Sequence, residues 1–77
     1  MADVTIYTTP TCAYCKMTKK FFDENDVEYK EKNVAGDQDA AKEMMQKSGQ
    51  MGVPVVDVDG EIIVGFNKEK LSELLNV

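Results

Sequence analysis

The residues with the most distinctive chemistry in this chain are two cysteines, Cys12 and Cys15, in the run Thr11-Cys12-Ala13-Tyr14-Cys15-Lys16. A thiolate is both nucleophile and leaving group in disulfide exchange. The run follows an apolar stretch, Val4 to Thr8, that reads as a strand, and opens an amphipathic stretch that reads as a helix. Two thiols three positions apart on a helix lie nearly one turn apart on one face, so they are spaced to close a small disulfide ring. A cysteine at a helix start also meets unpaired backbone N–H groups and the positive end of the helix dipole, which favour an anion. Cys12 is therefore the expected nucleophile, and Cys15 the thiol that resolves its mixed disulfide. Lys16 beside them either helps to hold the thiolate or is simply solvated.

A C-x-x-C pair admits three readings: a structural staple, half of a zinc site, or a redox pair. A staple closing so short a loop would constrain the unfolded chain little. Zinc asks for four ligands, whereas the chain has two cysteines and no histidine. The redox reading is left, and no metal ligands are assigned.

The elements that must position the pair follow from patterning. Pro10 cannot continue a strand ladder, and Thr11 is placed to cap the helix that follows. Met17, Phe21 and Phe22 recur at helical spacing with lysines and acids opposite, so a first helix is expected over Ala13 to Glu24, ended by Asn25-Asp26. Val27 to Glu31 alternates with a period of two, as in a strand with one wet face, and its charges suit an exposed sheet edge. Val34 to Gln38 reads as a loop. Asp39 is expected to cap a second helix running to about Lys47, with Ala41, Met44 and Met45 inward as core filler, and Gly49 to stop it. Gln50 to Pro54 leads into a strand over Val55 to Val58. Asp59-Gly60 then turns the chain into Glu61 to Val64 as a hairpin. Asn67 is placed to cap a last helix with an apolar stripe of Leu71, Leu74 and Leu75.

The order β-α-β-α-β-β-α makes strands one and two parallel through a right-handed crossover and the last two antiparallel. The fold class is therefore α/β: a four-stranded mixed sheet flanked by three helices, with C-x-x-C at the carboxyl end of strand one, where open α/β sheets put their chemistry.

With 77 residues, 43% of them apolar and 30% charged, the chain is expected to fold as one domain over residues 1–77. Nine lysines against fourteen acids leave a net charge of −5, with no basic cluster to follow a phosphate backbone, so no nucleic acid partner is expected. No apolar run approaches bilayer length, and Asp3 stands where a signal peptide would be basic, so no membrane association and a cytoplasmic location are expected. A monomer is expected.

The chain resembles the glutaredoxin family of the thioredoxin fold, particularly its short prokaryotic members, over essentially its whole length. The resemblance rests on T-x-x-T-C-A-Y-C at Thr8 to Cys15, G-V-P at Gly52 to Pro54, and G-F at Gly65-Phe66. It implies a thiol-disulfide oxidoreductase that reduces protein disulfides and glutathione mixed disulfides, serving cell redox homeostasis and electron transport. It also implies glutathione as co-substrate with no tightly bound cofactor, and glutathione or thioredoxin reductase as electron donor. Tyr14, Gly52, Val53, Pro54, Gly65, Phe66 and Asn67 are the substrate-binding positions it suggests. Pro54 matches a cis proline whose preceding residue, here Val53, offers backbone groups to an extended thiol substrate; on the residues alone, a trans strand-entry proline is equally open. Tyr14 matches the aromatic lining the glutathione groove; on the residues alone, it is as well read as a half-exposed ring. Some relatives instead carry an iron–sulfur cluster on the matching first cysteine and glutathione, which is the alternative function for Cys12.

The chain departs from the family pattern in three places. Many glutaredoxins have a basic residue three before the first cysteine and acids after the glycine matching Gly65, holding the two ends of glutathione. Here those places carry Thr9 and Phe66-Asn67-Lys68, with Asn67 a partial substitute. Each missing charge-assisted hydrogen bond is worth about 1.5–3 kcal/mol, so weaker glutathione binding is expected. Gly65-Phe66 also resembles redoxins that feed ribonucleotide reductase and draw on thioredoxin reductase. Ala13 replaces the common proline of C-P-Y-C, which should preserve the helix and change the redox potential.

Overall fold

In a computed structural model, which describes residues 3–50 and 52–77, the chain runs β1 Val4–Thr8, α1 Ala13–Glu24, β2 Lys30–Asn33, α2 Gln38–Ser48, β3 Val55–Val58, β4 Glu61–Val64 and α3 Lys68–Leu75. The strands form one sheet in the order β2-β1-β3-β4, with β1 parallel to β2 and antiparallel to β3, and β3 antiparallel to β4. This is the mixed sheet with three helices that the patterning implied. Met51, part of the expected lead-in to β3, lies outside the described residues.

Strand alternation divides the core between two faces. Val4 and Ile6 of β1, Val56 and Val58 of β3 and Ile63 of β4 bury against Phe21 and Phe22 of α1 and Leu71 of α3. The opposite parity, Tyr7 of β1 and Val55 of β3, meets Met44 of α2, with Val34, Val53 and Ile62 packed around them. The α2 face is thus the smaller cluster, and much of its contact with the sheet is polar.

Four expectations are corrected: the start of the second strand, the cap and the inward residues of the second helix, and the place of Met17. The second strand begins at Lys30 rather than Val27. Val27 and Tyr29 do face the core, which is why the alternation showed, but the Val27 amide is spent on Phe22 O at 2.9 Å as the chain leaves α1. Pairing with β1 starts only at Thr5 against Lys30. The strand is nevertheless the charged edge expected.

The second helix is capped by Asp37, whose Oδ1 accepts from the amides of Asp39 and Ala40, so Asp39 lies in the first turn and Gln38 is already helical. Its buried residues are Ala40 and Met44; Ala41 is half-buried and Met45 exposed. Glu43 and Lys47, one turn apart, both reach Tyr7, and this rotates the helix so that Met44 points inward.

On α1 the buried positions are Cys15, Thr18, Phe21 and Phe22, while Met17 is 47% exposed. The stripe through Cys15, Thr18 and Phe22 keeps i, i+3 and i+4 spacing, and Met17 lies to one side of it.

Gly49 takes the left-handed conformation at φ 73° beyond α2, as its type suggested. Asn67 caps α3 through its side chain. Among the described residues, no helix is long and apolar enough to cross a membrane.

Candidate active site

β1 ends at Thr8, and the turn that follows closes with the Cys12 amide donating to Thr9 O at 3.3 Å. The helix starts at Ala13, as expected. The N-cap is therefore Cys12 itself and not the expected Thr11, which is an exposed turn residue. Cys12 has the extended backbone of a capping residue, φ −86° and ψ 111°, and its Sγ accepts the Cys15 amide at 3.1 Å. Sulfur here occupies the place a serine or aspartate oxygen fills in an ordinary cap. The N–H aimed at that atom fixes the direction of the sulfur.

The two thiols sit in different surroundings. Both are free; Cys12 is partly exposed, whereas Cys15 is 1% exposed on the inner face of α1. Burial first, and then the hydrogen bond it shares with Cys12, push the Cys15 thiol up from 9.0 to about 12. Cys15 is thus a thiol at neutral pH, and Cys12 is the sulfur that an incoming group can reach.

The remaining expected site residues fall into two groups. Tyr14 lies between the cysteines in the first turn, 63% exposed, with its carbonyl accepting from Thr18 Oγ1 at 2.8 Å. The Val53-Pro54 peptide bond is cis. Tyr7 pairs with Val55, so Pro54, one residue earlier, falls beside the end of β1 that feeds Cys12. Pro54 O accepts from Gly65 N at 2.8 Å, and Gly65 has the positive φ, 79°, that glycine adopts without strain. Gly52 is exposed and precedes Val53; the nearest atoms a Cβ there would meet are those of the Gln50 amide, at 3.5 Å or more.

Phe66 and Asn67 directly follow Gly65 and have intramolecular partners of their own. The Phe66 ring lies 6.2 Å from that of Phe21, in the second half of α1, and packs on the core. Asn67 Oδ1 accepts from Lys70 N at 3.1 Å as the cap of α3, which engages the oxygen otherwise offered to a ligand.

The structure adds one feature that the sequence did not single out. A recess of about 290 Å³ opens beside the Thr9-Pro10 turn, with Lys16, Lys19, Glu31 and Asn33 around it. Glu31 accepts from Thr8 Oγ1 and from Lys19 Nζ, both at 2.8 Å. Lys19 and Thr8 hold its carboxyl below the usual range. Glu31 read only as a solvated edge charge because its partners lie on β1 and α1, far from it in sequence. A larger recess, about 540 Å³, lies between β2 and the start of α2 and contains neither cysteine.

Comparison with known proteins places this geometry. The family model described as Glutaredoxin matches residues 4–63. The chain is 44% identical over 72 residues to an uncharacterised glutaredoxin-like 8.6 kDa protein of the rubredoxin operon of Clostridium pasteurianum, covering 94% of this chain and 96% of that one. It is 32% identical over 74 residues to the glutaredoxin-like protein NrdH of Lactococcus lactis, covering 92% and 97%. The crystal structure of a glutaredoxin from Archaeoglobus fulgidus superposes with a TM-score of 0.89 at 29% identity, covering 100% of this chain and 89% of that one.

Proposed function

This chain belongs to the glutaredoxin family, and from that premise we propose that it is a dithiol thiol-disulfide oxidoreductase in which Cys12 attacks and Cys15 resolves. The observation that carries the assignment is the contrast between a partly exposed Cys12 Sγ receiving an amide N–H and a buried Cys15 held protonated.

In the first step Cys12 thiolate attacks one sulfur of a substrate disulfide. A Cys12–substrate disulfide forms, and the other substrate sulfur leaves as a thiolate that takes up a proton. The mixed disulfide no longer offers Cys15 a thiolate to hydrogen-bond, which removes one of the causes holding its proton. Cys15 then loses that proton and attacks Cys12 Sγ. The Cys12–Cys15 disulfide forms, and the second substrate sulfur departs as a thiol after protonation. The substrate gains two electrons, and two glutathione thiols or a reductase dithiol return them to the protein. Where the substrate is a glutathione mixed disulfide, Cys12 suffices, and a second glutathione resolves the intermediate.

The extended substrate docks along the Gly52-Val53-Pro54 segment through main-chain hydrogen bonds, with Tyr14 at its edge. Gly65 supports that segment through Pro54 O. Glutathione serves as co-substrate with weak hold, because Thr9 stands where a cation would meet one of its carboxylates. The resemblance of Gly65-Phe66 to redoxins that draw on thioredoxin reductase, together with the weak hold on glutathione, supports thioredoxin reductase as the stronger donor. The cytoplasm, kept reducing, is the compartment in which this dithiol turns over.

One assay tests the reading: NADPH oxidation with a common disulfide acceptor, coupled either to glutathione and glutathione reductase or to thioredoxin reductase. Turnover is expected in both arms and faster with thioredoxin reductase. Absence of turnover in both arms overturns the function, and a faster glutathione arm overturns the choice of donor.

A further inference from the structure

We infer that Lys47, on the face of the sheet away from the helix that carries the cysteines, is a positioning residue that sets the Val53 segment for an extended substrate. The inference rests on the docking role proposed above for Val53. Tyr7 of β1 is fully buried, yet its hydroxyl donates to Glu43 Oε1 at 2.6 Å and accepts from Lys47 Nζ at 3.2 Å. Lys47 also donates to Asp57 Oδ2 of β3 at 2.7 Å, and Lys32 of β2 meets Glu43 at 3.0 Å. The Lys32 and Lys47 ammonium groups each stand 5.8 Å from the Tyr7 ring centroid, within cation–π range. Three strands are thereby tied to two residues one turn apart on α2.

The tie reaches the docking segment by two routes. Met44, between Glu43 and Lys47 on α2, is fully buried against Tyr7 and Val55, and Val53 packs on that cluster. Directly after Lys47, the Ser48 hydroxyl donates to Met44 O at 2.7 Å and accepts from Gln50 N at 3.3 Å, and the Gln50 side chain reaches Gly52 O at 3.4 Å. The apolar part of this cluster is three buried side chains, so the polar anchors decide how firmly the end of α2 is seated. With Lys47 gone, the end of α2 loses its link to β3 and its donor to Tyr7. Val53 then samples positions in which its backbone no longer meets a partner strand, while Cys12, held through β1 and α1, stays in place.

The experiment compares Lys47→Met, which keeps the stem and removes charge and donors, with Lys47→Arg, which keeps both. For an extended peptide disulfide, Lys47→Met is expected to raise KM about threefold to tenfold with kcat little changed. The rate with a small aromatic disulfide should be unaltered, Lys47→Arg should restore KM, and the Val53 methyl resonances should move and broaden in Lys47→Met alone. Unchanged KM with unmoved Val53 resonances overturns the inference, as does an equal fall in the peptide and small-disulfide rates. If the wild-type protein turns over no peptide, the docking proposal fails, and the Val53 resonances still decide whether Lys47 sets that segment. If Lys47→Met does not fold, Tyr7→Phe, which removes one hydroxyl, is read by the same two measurements.

Discussion

The Cys15 amide nitrogen lies 3.1 Å from Cys12 Sγ, so the thiol that resolves the intermediate lends its own backbone donor to the thiol that starts the reaction. Capping and chemistry use the same atom. A sulfur that completes a helix N-terminus is fixed in direction by that duty.

The same closeness acts on the titration of Cys15. Cys15 is held up at about 12 by burial and then by Cys12. Because Cys15 is favoured as the neutral thiol in the fold, its contribution to stability is full below about 9 and lost as pH rises through about 12. Cys12→Ala is expected to lower the Cys15 value while leaving it above 9.0, since burial remains. The pH dependence of Cys15 alkylation in the denaturant-free protein, followed by mass, reads this directly. A Cys15 value in Cys12→Ala equal to or above that of the wild type would contradict it.

Acid acts on the opposite face of the sheet. Hydrogen bonds from Tyr7 first, then Lys32 and Lys47, hold the Glu43 carboxyl down from 4.5 to about 2. The stabilisation is therefore full above about 4.5 and lost as pH falls through about 2. With the carboxylate 37% exposed and screened, it is worth no more than about 1 kcal/mol. Glu31, held down by Lys19 and Thr8, acts in the same direction. Urea unfolding of Glu43→Gln is expected to start lower at neutral pH and to lose less than the wild type over that acid window. Parallel losses in the two proteins would remove Glu43 from the account.

Phe22 is a side chain whose loss the fold tolerates poorly. It is fully buried, 5.2 Å from the Tyr29 ring and 6.0 Å from that of Phe21. Truncation to alanine in a core costs about 3–5 kcal/mol. Applied to the length of this chain, the usual stability per residue totals about 4–12 kcal/mol. Phe22→Ala is thus expected to be partly unfolded at 37 °C, while the exposed Met17→Ala changes stability by less than about 0.5 kcal/mol. Thermal denaturation of both distinguishes them, and similar midpoints would show that α1 is not held by this face.

Much of this architecture was legible in the residues because local signals and tertiary contacts agreed. Asp59-Gly60 made the hairpin, Asn67 the last cap, and the run ending at Thr8 the central strand. The misplacements arose where one local backbone contact displaced another, or where packing set the angle of a helix. Thr11 is a good cap by type, but the turn closed on Thr9 moved the cap to a sulfur. Val27 and Tyr29 have the strand pattern, but the exit from α1 took the Val27 amide. Met17 and Met45 have the right hydrophobicity and the wrong angle on their helices. Neither the Glu31 nor the Tyr7 network has a sequence signature, because each joins residues from three or more elements.

The division of labour between the cysteines is tested most directly by single-turnover exchange with two substrates, a glutathione mixed disulfide and an intramolecular protein disulfide. Cys12→Ser is expected to abolish reaction with both. Cys15→Ser is expected to retain exchange with the glutathione substrate and to stall on the protein disulfide as a trapped Cys12 adduct, visible by mass. Equal residual activity in the two variants, or a trapped adduct on Cys15, would contradict the account.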